Sequence, residues 1–301
     1  MVGNRWWHLP DTPPDTGEEI DVGDDPVLLE VKGGVAVISL NRPAKHNVMG
    51  EAADALFFRY LDLLRTDRDV RVVVWRGNGP SFSAGRDLGE LTGDPDDNGP
   101  GNDLGAGRGH GQRLGSGPSD FEVLERGHWG TRLLDDFPVP IVCALKGWSL
   151  GTSLERALLC DIRVAGAGAK LALPGVDHGV IPDSGGVAKL FEIGGTSLAL
   201  DLALTGRRVD AHEALRLGLV SQVVPDEDLD EVVLDLAHSI AERPPLVVRL
   251  VRDHVQALAA PGVRGTLSRE LVGQTMVLAS HDFHEHRQAR AEDREPRYER
   301  R

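Results

Sequence analysis

Short runs of apolar, β-branched residues alternate in this chain with stretches where apolar side chains recur every three or four positions, and this alternation constrains the fold most. VLLEV and VAVISL flank the turn Gly33-Gly34 and read as a β-hairpin. Ala53, Leu56, Phe57, Tyr60, Leu61 and Leu64 then share one face of an amphipathic helix, followed by a polar stop at Asp67 to Asp69. VRVVVW, PIVCALKG and CDIRVAG give three more buried strands, the last two separated by a short helical stretch from Gly151 to Leu159. Strands interleaved with helices pack as a sheet layered with helices, so the class is α/β. Beyond Gly206 helices dominate. They are expected over Val209 to Leu217, from Asp226 through Ala241, from Pro244-Pro245 through Leu258, and as one amphipathic helix over about Leu267 to Arg290, with LVSQVV as a strand among them.

The flanks and one internal stretch lack this pattern. Residues 1–26 hold seven acidic residues and four prolines without a period, the composition of a solvated arm, although Trp6 and Trp7 call for something to pack against. Residues 93–119 contain nine glycines and almost no apolar residues, as expected of a flexible insertion near the surface. Residues 291–301 are nearly all charged and are expected to fray. The domain reading is therefore an arm (1–26), an α/β core (27–206) with its insertion, a helical region (207–290) and a tail. A net charge of −14 argues against broad affinity for nucleic acid or for anionic membrane. Cys143 and Cys160 sit in apolar runs without metal-ligand or CxxC spacing, and read as buried thiols of a reducing compartment. No run reaches 18 apolar residues and the N-terminal residues lack the apolar core of a secretion signal, so the expected location is the cytoplasm.

Two glycine turns carry the chemistry: SFSAGRDL at 81–88 and KGWSLGTSLERALLCD at 146–161. Each stands directly after a buried strand and before an expected helix. A helix start leaves its first N–H groups unpaired and aimed outward at the positive end of the dipole, an arrangement that can hold an oxyanion. Glu155 follows Gly151 by four residues, so its carboxylate lies on the same helix face one turn deeper. Set among Leu154, Leu158 and Leu159, it is expected to have a raised pKa, as a proton shuttle needs; the competing reading is a salt bridge to Arg156 or to another subunit.

NRPAKHNV at 41–48, FSAGRDL, KGWSLGTSLE, CDIRVA, GVIPDSGG, LTGRRVDAHEA and LRLGLVSQVVP together, in order, resemble the enoyl-CoA hydratase/isomerase (crotonase) family over about residues 27–290. The resemblance implies a crotonase-like spiral core of ββα repeats with a C-terminal helical region. It also implies a homotrimer or dimer of trimers and an acyl-CoA substrate, with no cofactor beyond the coenzyme A of that substrate. By the same resemblance the N–H groups of Arg86 and Gly151 form the oxyanion hole for the thioester carbonyl, and Glu155 matches one of two catalytic glutamates. The second should follow the proline of LPGVDHGVIP, where this chain has Gly175, which puts ordinary hydration in doubt.

Asp183 stands where dienoyl-CoA isomerases place a proton-transfer aspartate and chlorobenzoyl-CoA dehalogenases a nucleophilic one. It also immediately precedes an expected helix from Ser184 to Phe191 and equally fits its N-cap. Asp177 and His178, in the loop bordering the acyl pocket, are further candidates against the alternative of an ordinary loop interaction. Arg42, Lys45 and His46 make the first strand–helix loop basic and suited to CoA phosphates, with solvated surface charge as the alternative. The binding surface implied by the resemblance extends to Ala84, Asp87, Leu88, Gly147 and Gly175. His281, His284 and His286 lack partners of metal-ligand spacing, so no metal site is expected. Two other readings stay open: a hydrolase or dehalogenase using Asp183, and an acyl-CoA-binding relative without catalysis.

Overall fold

The computed structural model of the chain describes residues 25–87, 119–259 and 261–297. The arm up to residue 24, the insertion through residue 118 and the last four residues lie outside this set. Strands β1 (Val27–Lys32) and β2 (Val35–Leu40) pair antiparallel, Val27 opposite Leu40, as the hairpin pattern requires. β3 (Val72–Gly77), β4 (Ile141–Leu145), β6 (Ile162–Gly166) and β9 (Gln222–Val224) extend the sheet in parallel, in the order β1-β2-β3-β4-β6-β9. A second sheet holds β5 (Trp148–Leu150), β7 (Lys170–Ala172) and β8 (Val209–Asp210).

Side chains alternate across the large sheet and separate two apolar layers. Ala36, Ile38, Val73, Trp75 and Cys143 face the larger core, which α1 (Glu51–Leu64) closes with Phe57 and Leu61. Trp75 anchors this layer, with Phe57 stacked at 4.5 Å between ring centroids and Phe82 edge-on at 4.9 Å. Val35, Val37, Val72, Val74 and Val142 point the other way, and Leu229, Val233 and Ala237 of α6 (Leu229–Ala241) cover them. Each such valine or leucine removed from water contributes about 1.5–3 kcal/mol, which fixes the sheet between its helices.

The larger layer also takes in α2 (Ser119–Asp135), α3 (Gly151–Leu159), α4 (Gly186–Thr205, kinked at Gly195) and α5 (Ala211–Leu217). The C-terminal part continues as α7 (Pro245–Ala259), α8 (Pro261–Leu278) and α9 (His281–Ala291). Four sequence expectations change here, the first at Val209–Asp210, which pair with β7 as β8, so that the helix expected from Val209 begins at Ala211. Residues 226–228 form a 3-10 turn before α6 begins at Leu229, so the helix starts a turn later than Asp226. The single helix expected over Leu267 to Arg290 is two helices: Ser280 interrupts it and its Oγ accepts the Phe283 N–H at 3.2 Å, a new N-cap with Asp282 in the first turn. The helix expected at Ser184 begins instead at Gly186, with Gly185 as its cap. Among the described residues, no helix is long and apolar enough to cross a membrane.

Candidate active site

The two glycine turns meet. Ser83 and Ser149 bridge as parallel strands, through Ser83 N–H to the Trp148 carbonyl at 2.9 Å and Leu150 N–H to the Ser83 carbonyl at 2.9 Å. The Ser83 hydroxyl locks the junction by donating to the Asn47 carbonyl at 2.7 Å while accepting from Gly85 N–H at 3.1 Å. With its proton committed to Asn47, it takes the Ser153 hydroxyl, 2.7 Å away in α3, as a donor. Gly85 has φ +92°, and a Cβ there would stand 2.8 Å from the Leu150 carbonyl, so only glycine lets the two turns approach this closely.

This approach sets Arg86 beside Gly151. Arg86 bridges Met49, and the pairing uses its neighbours: Met49 N–H donates to the Gly85 carbonyl and Asp87 N–H to the Met49 carbonyl. The Arg86 N–H therefore points away from Met49, while Gly151 opens α3 without a side-chain cap and with open space over its Cα. Arg86 and Gly151 both line one cavity of about 700 Å³, counting its open mouth. The Arg86 guanidinium extends toward Gly127 of α2.

Glu155 lies on the wall of that cavity, 2 % exposed. Its Oε2 accepts from Ser184 N–H at 2.9 Å and from Gly186 N–H at 3.3 Å, the entry to α4. Gly186 makes room for it, because a Cβ there would fall 2.4 Å from the Glu155 Cγ. Burial raises the Glu155 pKa to about 8, and the neighbouring charges of Asp183 and, less strongly, Glu270 push the same way against the two backbone donors. The salt bridge to Arg156 does not form: Arg156 turns to Asp54 of α1, bidentate at 2.6 and 3.1 Å.

Asp183 also lines the cavity and is buried, and it is not an N-cap. α4 starts three residues after it, at Gly186, and its entry N–H groups are taken by carboxylates of other helices, Glu155 of α3 and Glu270 of α8, the latter accepting from Gly185 N–H at 3.0 Å. Gly175 lines the cavity as well, and a Cβ there would press against the Val180 carbonyl at 3.0 Å. His178 reaches the cavity and takes a hydrogen bond from Arg290 at 3.1 Å. Burial and the charges of Arg290 and His286 depress its pKa to about 4. Asp177 instead faces Arg208 and His286, and burial raises its pKa. Ala84 lines the cavity too.

The remaining sequence candidates stand around this site rather than in it. Arg42 pairs with Asp87 at 3.2 Å, and His46 shares a 2.9 Å hydrogen bond with Ser81, both on the loop whose His46 carbonyl receives Ala84 N–H at 2.8 Å. Lys45 belongs to the same loop, Gly147 packs against the Pro80 carbonyl, and Leu88 lies outside the described residues. Three residues that sequence reasoning did not single out complete the site: Gln274, whose side chain accepts Ile181 N–H at 3.2 Å in the cavity wall; Glu270, one turn before it; and His128 of α2, buried against Asp183. The spacing of four between Glu270 and Gln274 was the available signal for the first two. Among the described residues, no group of three His, Cys, Asp or Glu could hold a metal ion.

The profile of the family described as Enoyl-CoA hydratase/isomerase matches residues 30–105 and 111–301. This chain belongs to that family. It is 31% identical over 251 residues to a 2,3-dehydroadipyl-CoA hydratase of Escherichia coli, covering 83% of this chain and 89% of that protein. A carnitinyl-CoA dehydratase of Salmonella typhimurium is 30% identical over 269 residues, covering 88% and 94%. A crystal structure of an enoyl-CoA hydratase/isomerase from Pseudoalteromonas atlantica superposes with a TM-score of 0.75 at 27% identity, covering 91% of this chain and 99% of that one. The crotonase fold and the class of acyl-CoA enzyme therefore stand as the sequence motifs implied.

Proposed function

We propose that this crotonase-family enzyme performs enolate chemistry on an unsaturated acyl-CoA, shifting its double bond or adding water, with Glu155 as the acid at the α-carbon and Asp183 as the partner base. The observation that carries the reading is the placement of Glu155: buried in the cavity wall, one helical turn inside Gly151, and protonated at neutral pH because its pKa is raised to about 8. In this reading the thioester carbonyl sits against the N–H groups of Arg86 and Gly151, whose donation strengthens as the oxygen becomes an enolate. Asp183 takes a proton from an attacking water in hydration, or from the γ-carbon in isomerisation, and Glu155 delivers its own to the α-carbon. Both reactions use the same two acids in the same roles, and neither needs a carboxylate at position 175.

Arg42, Lys45 and His46, on the loop joined to Ala84, are the proposed contacts for the CoA phosphates. The assembly we propose is a trimer or dimer of trimers. It is supported by Leu246, Val247, Leu250, Val251 and Val255, which leave an exposed apolar face on α7.

A panel of enoyl-, dienoyl- and aryl-CoA thioesters followed by mass spectrometry in D₂O tests the chemistry. The expected result is gain of one water, or deuterium at the α-carbon of an isomerised product. Binding of CoA without turnover of any thioester would leave a non-catalytic acyl-CoA binder, and a covalent adduct on Asp183 would replace proton transfer with nucleophilic attack.

A further inference from the structure

His128 is buried on α2 at 2 % exposure, and neither of its ring nitrogens has a hydrogen-bond partner among the described residues. A structural histidine normally gives at least one nitrogen to the fold, because a buried polar atom left unpaired destabilises the folded state. The ring lies against Asp183, facing both its carboxylate and its backbone without meeting hydrogen-bond geometry. One turn earlier on the same helix, Leu124 lines the cavity, so α2 brings this imidazole up behind the cavity wall at the acid proposed to act there.

We propose that His128 is the positioning residue and proton store of Asp183, an acid–base partner reached through packing that serves the half-reaction for which position 175 carries no side chain. The inference rests on the function proposed above. In each turnover Glu155 loses one proton to the α-carbon, and Asp183 gains one from water or from the γ-carbon. The cycle closes when that proton reaches Glu155. In the proposed step the His128 ring turns to bring a nitrogen within hydrogen-bond distance of the Asp183 carboxylate and holds the proton in the interval as imidazolium with Asp183 ionised beside it. The proton then returns through Asp183 to the Glu155 carboxylate. Atoms and charge balance within these three side chains and the substrate.

The groups around the ring suit a store that is empty at rest. Burial lowers the His128 pKa, and Arg132 on its own helix and Arg156 of α3 add to this, while only Asp183 opposes. Arg156 is itself paired with Asp54 of α1, and Glu270 of α8 stands near Glu155. The imidazole is therefore neutral at pH 7 and able to accept.

The experiment compares His128→Gln and His128→Phe with the unaltered protein, using the thioester of the panel that the unaltered protein converts fastest. The expected result is a fall in kcat of roughly 10- to 100-fold in both variants with KM within about 3-fold, the size of a lost acid–base contribution. The pH profile separates this from a packing defect. The unaltered protein should lose activity as pH falls below 6.5, where the imidazole becomes charged before the reaction starts, and also as pH rises through about 8, where Glu155 ionises. Both variants should lose the acid limb and keep the limb near 8. Either variant folded, with unaltered kcat and both limbs, overturns the proposal, and so does an unaltered protein with no acid limb below pH 6.5, a check that needs no variant. If the unaltered protein converts no thioester, the proposed function fails and this inference with it; if it does and Glu155→Gln abolishes turnover while the His128 variants do not reduce it, only the inference fails.

Discussion

At the scale of single residues, the raised pKa of Glu155 costs the fold stability. Its folded pKa of about 8 lies above the ordinary carboxylate value of 4.5. Stability is therefore complete below pH 4.5, where both folded and unfolded forms are protonated, and declines as pH rises toward 8, where only the unfolded chain ionises freely. Glu155→Gln keeps the shape and the acceptor for Ser184 and Gly186 while removing the charge. We expect it to melt above the unaltered protein at pH 8, by roughly 5 °C, and by less at pH 5.5, as calorimetry at the two pH values would show. Equal melting points at both would mean that Glu155 is not held protonated. Asp183→Asn addresses the other acid. Because Asp183 caps no helix, the change should leave the melting temperature nearly unaltered and lower kcat by about 100-fold; near-normal turnover would remove Asp183 from the chemistry.

Elements decide where these residues meet, and the legibility of the sequence follows from how each element is stabilised. The hairpin, α1, α3 and the valine-rich strands are written in local period, and α3 runs from Gly151 to Leu159 as the pattern implied. α2 is not. Its apolar period is interrupted by Gly127 and Gly130, and the reason is tertiary: a Cβ at Gly130 would collide with the Phe58 ring of α1. His128 was invisible for the same cause, since its significance comes from packing against Asp183 and not from its neighbours in sequence. The Asp183 cap reading failed because residues distant in sequence, Glu155 and Glu270, supply the acceptors that a cap would have supplied. Glu155 and the two glycine turns, by contrast, were legible, since a turn followed by a helix places an acid by helical geometry alone. The junction of the turns gives an element-scale test. Gly85→Ala combines positive φ with a 2.8 Å approach to the Leu150 carbonyl, so it should displace one turn from the other. The expected outcome is a loss of about 1–3 kcal/mol in stability and roughly 100-fold in kcat, read by denaturant unfolding and steady-state kinetics. Turnover unchanged in a folded Gly85→Ala protein would show that the junction does not set the oxyanion hole.

For the whole molecule, assembly and chemistry are separable. The apolar face of α7, with Leu246 67 % and Val255 63 % exposed, is the surface on which the proposed assembly rests. Sedimentation equilibrium should give three or six times the 32.5 kDa chain mass, and a mass of one chain would contradict the proposed assembly. The strong acidic charge does not interfere with a CoA ligand if the basic loop at 42–46 meets the phosphates locally, which predicts weaker CoA binding as salt rises. The central claim is narrower: an acid protonated at neutral pH, one turn inside Gly151, delivers the α-proton. The most direct measurement is turnover of the best thioester of the panel by Glu155→Gln against the unaltered protein at pH 7, with CoA-thioester binding measured on both. We expect kcat to fall by 100-fold or more with binding retained; a Glu155→Gln protein that binds and turns over like the unaltered one would contradict the account.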